Sequence, residues 1–336
     1  MNSFILDVSG FLVCATIIMF AGKKLAYYGD LLADVTGLGR VWIGLLIMAG
    51  VTSLPELMVG ISSAAIIRSA DLAVGDILGS CAFNLCILAV MDCFLPKHRP
   101  LLSSVSQSHL LAASLGMILI TLAGVGLFLQ SDIIITPGLG ITSLSFALLY
   151  LLSIRLIHRY GKRSVREQDG PPDKESSLTL TLRKIIFRYT IFAIVIIAAA
   201  LALPYFADNI SEETGLRRSF VGTLFLAAST SLPEIAVSIA AVRLGSVDLA
   251  AGNLFGSNIF NIFILFIDDL FYPGGYILKD ASDVNLISVF SVLIMSAIAI
   301  IGITYRPEKK KYFFALDAFL IFAVYVANIV LLYRMN

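Results

Sequence analysis

TSLPELMVGISSA, residues 52–64, returns little changed as TSLPEIAVSIAAV at residues 230–242. A second string, DLAVGDILGSCAFN at 71–84, returns as DLAAGNLFGSNIFN at 248–261. Glu234 follows Glu56 by 234 − 56 = 178 positions and Asn261 follows Asn84 by 261 − 84 = 177, so one residue of slippage separates the two motif pairs. Two similar strings in the same order at nearly one offset indicate an internal duplication. Each copy lies in apolar sequence, and that setting decides the fold class.

Hydrophobic residues make up 58% of the 336 positions and charged residues 14%, with mean hydropathy +0.92. A soluble domain carries about a quarter charged residues. A helix needs about 20 mostly apolar residues to cross a bilayer, and blocks of that kind recur at roughly 3–22, 39–67, 72–95, 107–129, 132–157, 184–206, 218–243, 248–271, 284–304 and 312–333. The expected fold is an all-α membrane protein with about ten transmembrane helices. The first block lacks a basic leader and a small-residue cleavage site, so it reads as a retained helix.

The polar segment 158–182 (HRYGKRSVREQDGPPDKESSLTLTL) reads as a linker between two five-helix repeats, 1–157 and 183–336. Lys and Arg concentrate in this linker and its flanks, which predicts a cytoplasmic linker and both termini outside. Arg68, Arg217 and Arg218 fall on the less favoured side. An odd number of spans separates the two copies, so the second repeat is inverted relative to the first. Inverted repeats with a binding site near the midplane recur among secondary transporters.

Other classes find little support. The 24 Lys+Arg against 23 Asp+Glu give no basic field for nucleic acid. Cysteines 14, 81, 86 and 93 have no metal-binding spacing and read as packing residues; the histidines at 98, 109 and 158 read as solvated or interfacial. There is no GxxxxGK[ST] phosphate loop, and neither a catalytic constellation nor a cofactor is expected. The expected partners are the bilayer and transported ions, with no protein partner evident.

Glu56 and Glu234 fall inside apolar spans, where a charge costs about 3 kcal/mol on insertion scales and marks a functional position. Thr52, Ser53 and Glu56, like Thr230, Ser231 and Glu234, share one helical face. The intervening Pro bends the helix and frees the carbonyls of Val51 and Ser229. Asp76, Ser80 and Asn84 stand at i, i+4 and i+8, as do Asn253, Ser257 and Asn261. Carboxylate, hydroxyl, amide and carbonyl oxygens are the ligands of hard cations, and no soft sulfur or imidazole accompanies them. The plainer role for the Ser, Thr and Asn residues is to hydrogen-bond helices together.

TSLPE followed by GSxxFN in both halves resembles the cation/calcium exchanger superfamily, most closely its compact microbial sodium/calcium antiporters. The resemblance implies a ten-helix core, four ion sites in a diamond between the halves, and alternating access by sliding of the first helix of each half. It also implies a ligand set: Thr52, Ser53, Glu56, Ser80 and Asn84 with Thr230, Ser231, Glu234, Ser257 and Asn261, together with the backbone oxygens of Ala49 and Ala227. Three departures from the pattern fall at four positions. Val51 and Ser229 stand where a glycine is common, Asp76 where an Asn is usual, and Asn261 where potassium-dependent relatives carry Asp. Asp76 is therefore the selectivity candidate.

The expected function is secondary active exchange of Ca²⁺ for Na⁺ in the cytoplasmic (inner) membrane, with ions bound between Glu56 and Glu234. Ca²⁺/H⁺ exchange through the same carboxylates is the alternative, followed by a potassium-dependent exchanger or a passive cation channel.

Overall fold

The computed structural model describes every residue except 1, 97–98, 132, 137–138, 169–180, 215–227, 311–313 and 336. Helix α1 spans Asn2–Thr36; α2 and α3 are a bent pair, Arg40–Thr52 and Leu54–Ile67, at 41°. Then follow α4 (Ala70–Met91), α5 (Ser108–Leu129), α6 (Ile141–Gln168) and α7 (Leu182–Glu213). The chain closes with α8 (Leu232–Arg243), α9 (Val247–Phe271), α10 (Asn285–Tyr305) and α11 (Leu316–Met335). Among the described residues, eight helices are long and apolar enough to cross a membrane, and the α2–α3 pair makes a ninth span. Of the expected span 218–243, only the part carrying the TSLPE motif is described.

The boundaries differ from expectation at three places. The span expected from residue 132 begins as a helix only at Ile141, because Ile134–Thr136 pairs antiparallel with Leu139–Gly140; the sequence between them, Pro-Gly, favours a turn. Helix α6 continues to Gln168, eleven residues into the expected linker, whose positions 169–180 lie outside the described residues. Helix α1 has 35 residues, about 52 Å at 1.5 Å per residue, and so overshoots a hydrocarbon core of about 30 Å.

Helices α4 and α9 form the centre, with 72% and 78% of their apolar windows buried. Glycines let α9 approach α2 at backbone distance. A Cβ on Gly44 would stand 2.5 Å from the Leu249 carbonyl oxygen, and one on Gly256 would overlap the Leu45 backbone. The long helices α1 and α7 lie against each other at the periphery, and α1 also packs on α8. That contact is close too: a Cβ on Gly22 would come within 2.9 Å of Ala236 Cβ. Cys14 and Ile18 of α1 pack there against Ala199, Ala200 and Leu203 of α7.

Polar anchors fix the helix ends. Asp92, fully buried, accepts from the backbone N–H of Leu101 and of Ala315, each at 2.8 Å, and pairs with the buried Lys310 ammonium at 3.1 Å. Its counterpart one repeat later, Asp269, accepts from Ile277 N–H at 2.6 Å and from the Ser143 hydroxyl. His109, expected at the interface with water, is fully buried, and its Nε2 lies 3.0 Å from Asp248. At the same end Arg40 bridges Asp30 and Asp34 of α1, while Ser246 donates to Asp30. All four cysteines are free thiols.

Candidate ion-binding site

Each TSLPE motif breaks its helix for a local reason. Ser53 leaves helical geometry (φ −90°, ψ 8°), Pro55 opens α3, and Glu56 falls in its first turn. Ser231, Pro233 and Glu234 repeat this at the start of α8 (φ −85°, ψ 10° at Ser231). A helix N-terminus carries partial positive charge that favours a carboxylate, and the interrupted backbone is housed in protein rather than lipid.

The two breaks meet across the repeat boundary. Ser53 Oγ donates to Glu234 Oε1 at 3.1 Å, and Ser231 Oγ donates to Glu56 Oε1 at 3.1 Å. The serine of each half thus holds the carboxylate of the other. Both glutamates are 1% exposed. Ser80 Oγ lies 3.5 Å from Ser231 Oγ. Thr52 Oγ1 lies 3.2 Å from Asn253 Oδ1 and 3.3 Å from the Ala49 carbonyl, and it donates to one of them at a time. The Ala49 oxygen also accepts from Ser53 N–H at 3.0 Å. Thr230 is fully buried beside Ser231, and Ala227 lies outside the described residues.

Around these bonds a set of buried oxygens has no hydrogen-bond partner: Glu56 Oε2, Glu234 Oε2, Asn84 Oδ1, Ser257 Oγ and Asn261 Oδ1. Leaving such atoms unpaired in a dry interior costs about 1–3 kcal/mol each. Hard cations take six to eight oxygens of these kinds, so a cation would offset that cost. Among the described residues no group of three or more His, Cys, Asp or Glu side chains forms a metal cluster. The site is two carboxylates set in neutral oxygens.

Every expected side chain among the described residues is buried at this centre except Asp76, which is partly exposed and leaves its buried Oδ2 unpartnered. One further contributor went unread in the sequence. Asn258 donates to the Cys81 carbonyl at 3.2 Å and accepts from Asn84 at 3.0 Å; its signal was the Asn that replaces Cys81 in the second GSxxFN copy. Asn253 donates to Ser238 at 3.1 Å.

The chain matches the sodium/calcium exchanger protein family over residues 6–156 and 184–334. It is 30% identical over 258 residues to inner membrane protein YrbG of Escherichia coli (strain K12), covering 74% of each chain. To the sodium/calcium exchanger MaX1 of Methanosarcina acetivorans it is 34% identical over 154 residues, 44% of this chain and 41% of that one. Its fold is that of the sodium-calcium exchanger NCX_Mj, with TM-score 0.73, 21% identity, and coverage of 97% of this chain and 99% of the other.

Proposed function

The chain belongs to the sodium/calcium exchanger family, and from that premise we propose that it exchanges Ca²⁺ for Na⁺ by alternating access, with the ions held near the membrane midplane between Glu56 and Glu234. The observation that carries this reading is the ring of unpartnered buried oxygens around two carboxylates held crosswise by Ser53 and Ser231. A single Ca²⁺ neutralises two carboxylates. Na⁺ ions achieve the same with the help of the Thr, Ser and Asn oxygens, and competition for these shared atoms couples the two fluxes.

The empty, doubly negative centre is the state the membrane interior resists, so the halves rearrange once either ion set is bound. Moving two charges through 100 mV involves about 4.6 kcal/mol, from about 2.3 per charge, within reach of an ion gradient. The small-residue contact of α1 on α8 at Gly22 and Ala236 suits one helix sliding past another. The repeats 1–157 and 183–336 are the proposed moving units, in a cytoplasmic membrane with both termini outside.

The deciding experiment imposes a Na⁺ gradient on Ca²⁺-loaded proteoliposomes at fixed pH. Ca²⁺ flux that follows Na⁺ is expected. Flux driven by a pH step and indifferent to Na⁺ would replace Na⁺ by protons as the coupling ion. Ca²⁺ current with neither gradient would make the protein a channel.

A further inference from the structure

Asp268 lies outside the proposed ligand set, and its sequence position three residues before the end of α9 suggests a solvated helix terminus. It is instead fully buried, and neither carboxylate oxygen has a hydrogen-bond partner. Its seat is Gly60, one turn beyond Glu56 on α3: a Cβ there would stand 2.5 and 2.6 Å from the two carboxylate oxygens. The charged groups whose fields reach it are Asp76 of α4 and its neighbour Asp269, and the latter is occupied by Ile277 and Ser143. Among the described residues no Lys, Arg or His pairs with Asp268.

We propose that Asp268 is a proton-binding station, set with Asp76 between the central glutamates and the membrane face at which α9 ends. An isolated ionised carboxylate in a dry interior must be neutralised by a cation or a proton. Two features favour the proton. The Gly60 seat sets bare backbone beside both oxygens, and among the described residues no group of three or more His, Cys, Asp or Glu side chains gathers there. A proton needs one oxygen, whereas Na⁺ or Ca²⁺ needs several. When a cation occupies the Asp76–Glu56 stretch, the O–H bond of Asp268 breaks and its proton passes to the solution at the α9 end. The carboxylate is left ionised beside the new positive charge. When the cation moves on, a proton from the same solution restores the acid.

This station stands whether Na⁺ or another ion is exchanged at the centre, and its test is separate. Infrared spectra of the reconstituted full chain carrying Glu56→Gln and Glu234→Gln are expected to keep a protonated-carboxyl band at neutral pH, and adding Asp268→Asn is expected to remove one component of it. A band that is absent before that change, or unaltered by it, overturns the proposal. In otherwise wild-type protein, Asp268→Asn is expected to abolish the dependence of Ca²⁺ flux on pH at the α9-end face, with flux at one fixed pH retained. Gly60→Ala, which pushes the carboxylate from its seat without removing it, is expected to shift that pH profile and leave the Na⁺ half-saturation unchanged. A pH profile identical in both variants to wild type would overturn the proposal. So would an unchanged profile with a shifted Na⁺ half-saturation in Asp268→Asn, which would make Asp268 a Na⁺ ligand.

Discussion

The two TSLPE helices agree at their glutamates and part company one turn later. At the glutamates the geometry is reciprocal, Ser53 to Glu234 and Ser231 to Glu56, both at 3.1 Å. One turn on, the second half has Ser238, which accepts from Asn253 at 3.1 Å, so its polar groups satisfy each other without charge. The first half has Gly60 at the equivalent position and Asp76 in place of Asn253, and the carboxylate of Asp268 fills the space the missing side chain leaves. Duplication has preserved the part of the site that both halves build together. The flanks, which each half builds alone, have drifted into one acidic limb and one neutral limb.

The most demanding test of the shared part is to neutralise one glutamate at a time. Glu56→Gln and Glu234→Gln each keep the shape and the serine contact but remove half the site's charge. Both are expected to reduce Ca²⁺ flux in proteoliposomes to background, a loss of more than about tenfold, equivalent to 1.4 kcal/mol, while the protein still inserts. Equal losses would match the reciprocal geometry. Full transport by either variant would remove the site from the proposal.

A second contrast between the halves concerns stability. Asp92 and Asp269 occupy equivalent positions and both bind a backbone N–H of the segment folded back beneath the helix. Asp92 is also paired with a buried cation, Lys310. Removing one partner of a buried pair costs about 3–5 kcal/mol because the other charge is left unpaired. Lys310→Met is therefore expected to lower the thermal midpoint of the solubilised protein substantially. Asp92→Asn combined with Lys310→Met should recover part of the loss, since no orphan charge then remains. No recovery would mean that the pair acts through the backbone contacts alone.

These contrasts also mark what the sequence made legible. The repeat, the helical fold, the inward glutamates and the Ser, Thr and Asn faces follow from periodicity and from the improbability of a buried charge. The fates of Asp268, His109 and Lys310 did not follow. Each sits near the end of an apolar block, where composition suggests water, and each is buried because a distant segment covers it. Residues around Ile277 fold back at the α9 end, Asp248 meets His109, and Asp92 meets Lys310. Such coverage depends on loops that return to the bundle, and loop return has no period to read. Asn258 was missed for another reason. Its partners, Cys81 and Asn84, belong to the opposite repeat, so its role exists only across the interface.

Weaker perturbations act on the crosswise bonds themselves. Ser53→Ala and Ser231→Ala each delete one crosswise bond to a carboxylate, a contact worth about 1.5–3 kcal/mol. Each is expected to raise the Ca²⁺ concentration for half-maximal flux by about tenfold or more, with maximal flux retained. The double variant reads the symmetry directly. If the two bonds hold one ion-binding unit, its effect falls short of the product of the singles, because residues in one network are not additive. A full product would make the two halves independent sites.

The smallest effect is expected from making the flanks alike. Asp76→Asn restores the residue found at the equivalent position in the second half, Asn253, and leaves the central oxygens in place. Asp76 lies off the central pair and is partly exposed, so its field at Glu56 is screened, and an interaction of this kind falls with both distance and effective dielectric. Ca²⁺ transport should persist, with apparent affinity reduced by less than about tenfold, or 1.4 kcal/mol. The informative readout is sidedness. If the acidic limb belongs to the α9-end face alone, the affinity change appears when Ca²⁺ is offered from that face and is absent from the other. An equal change from both faces would mean that Asp76 acts on the central pair itself, and that the two limbs differ in composition without differing in role.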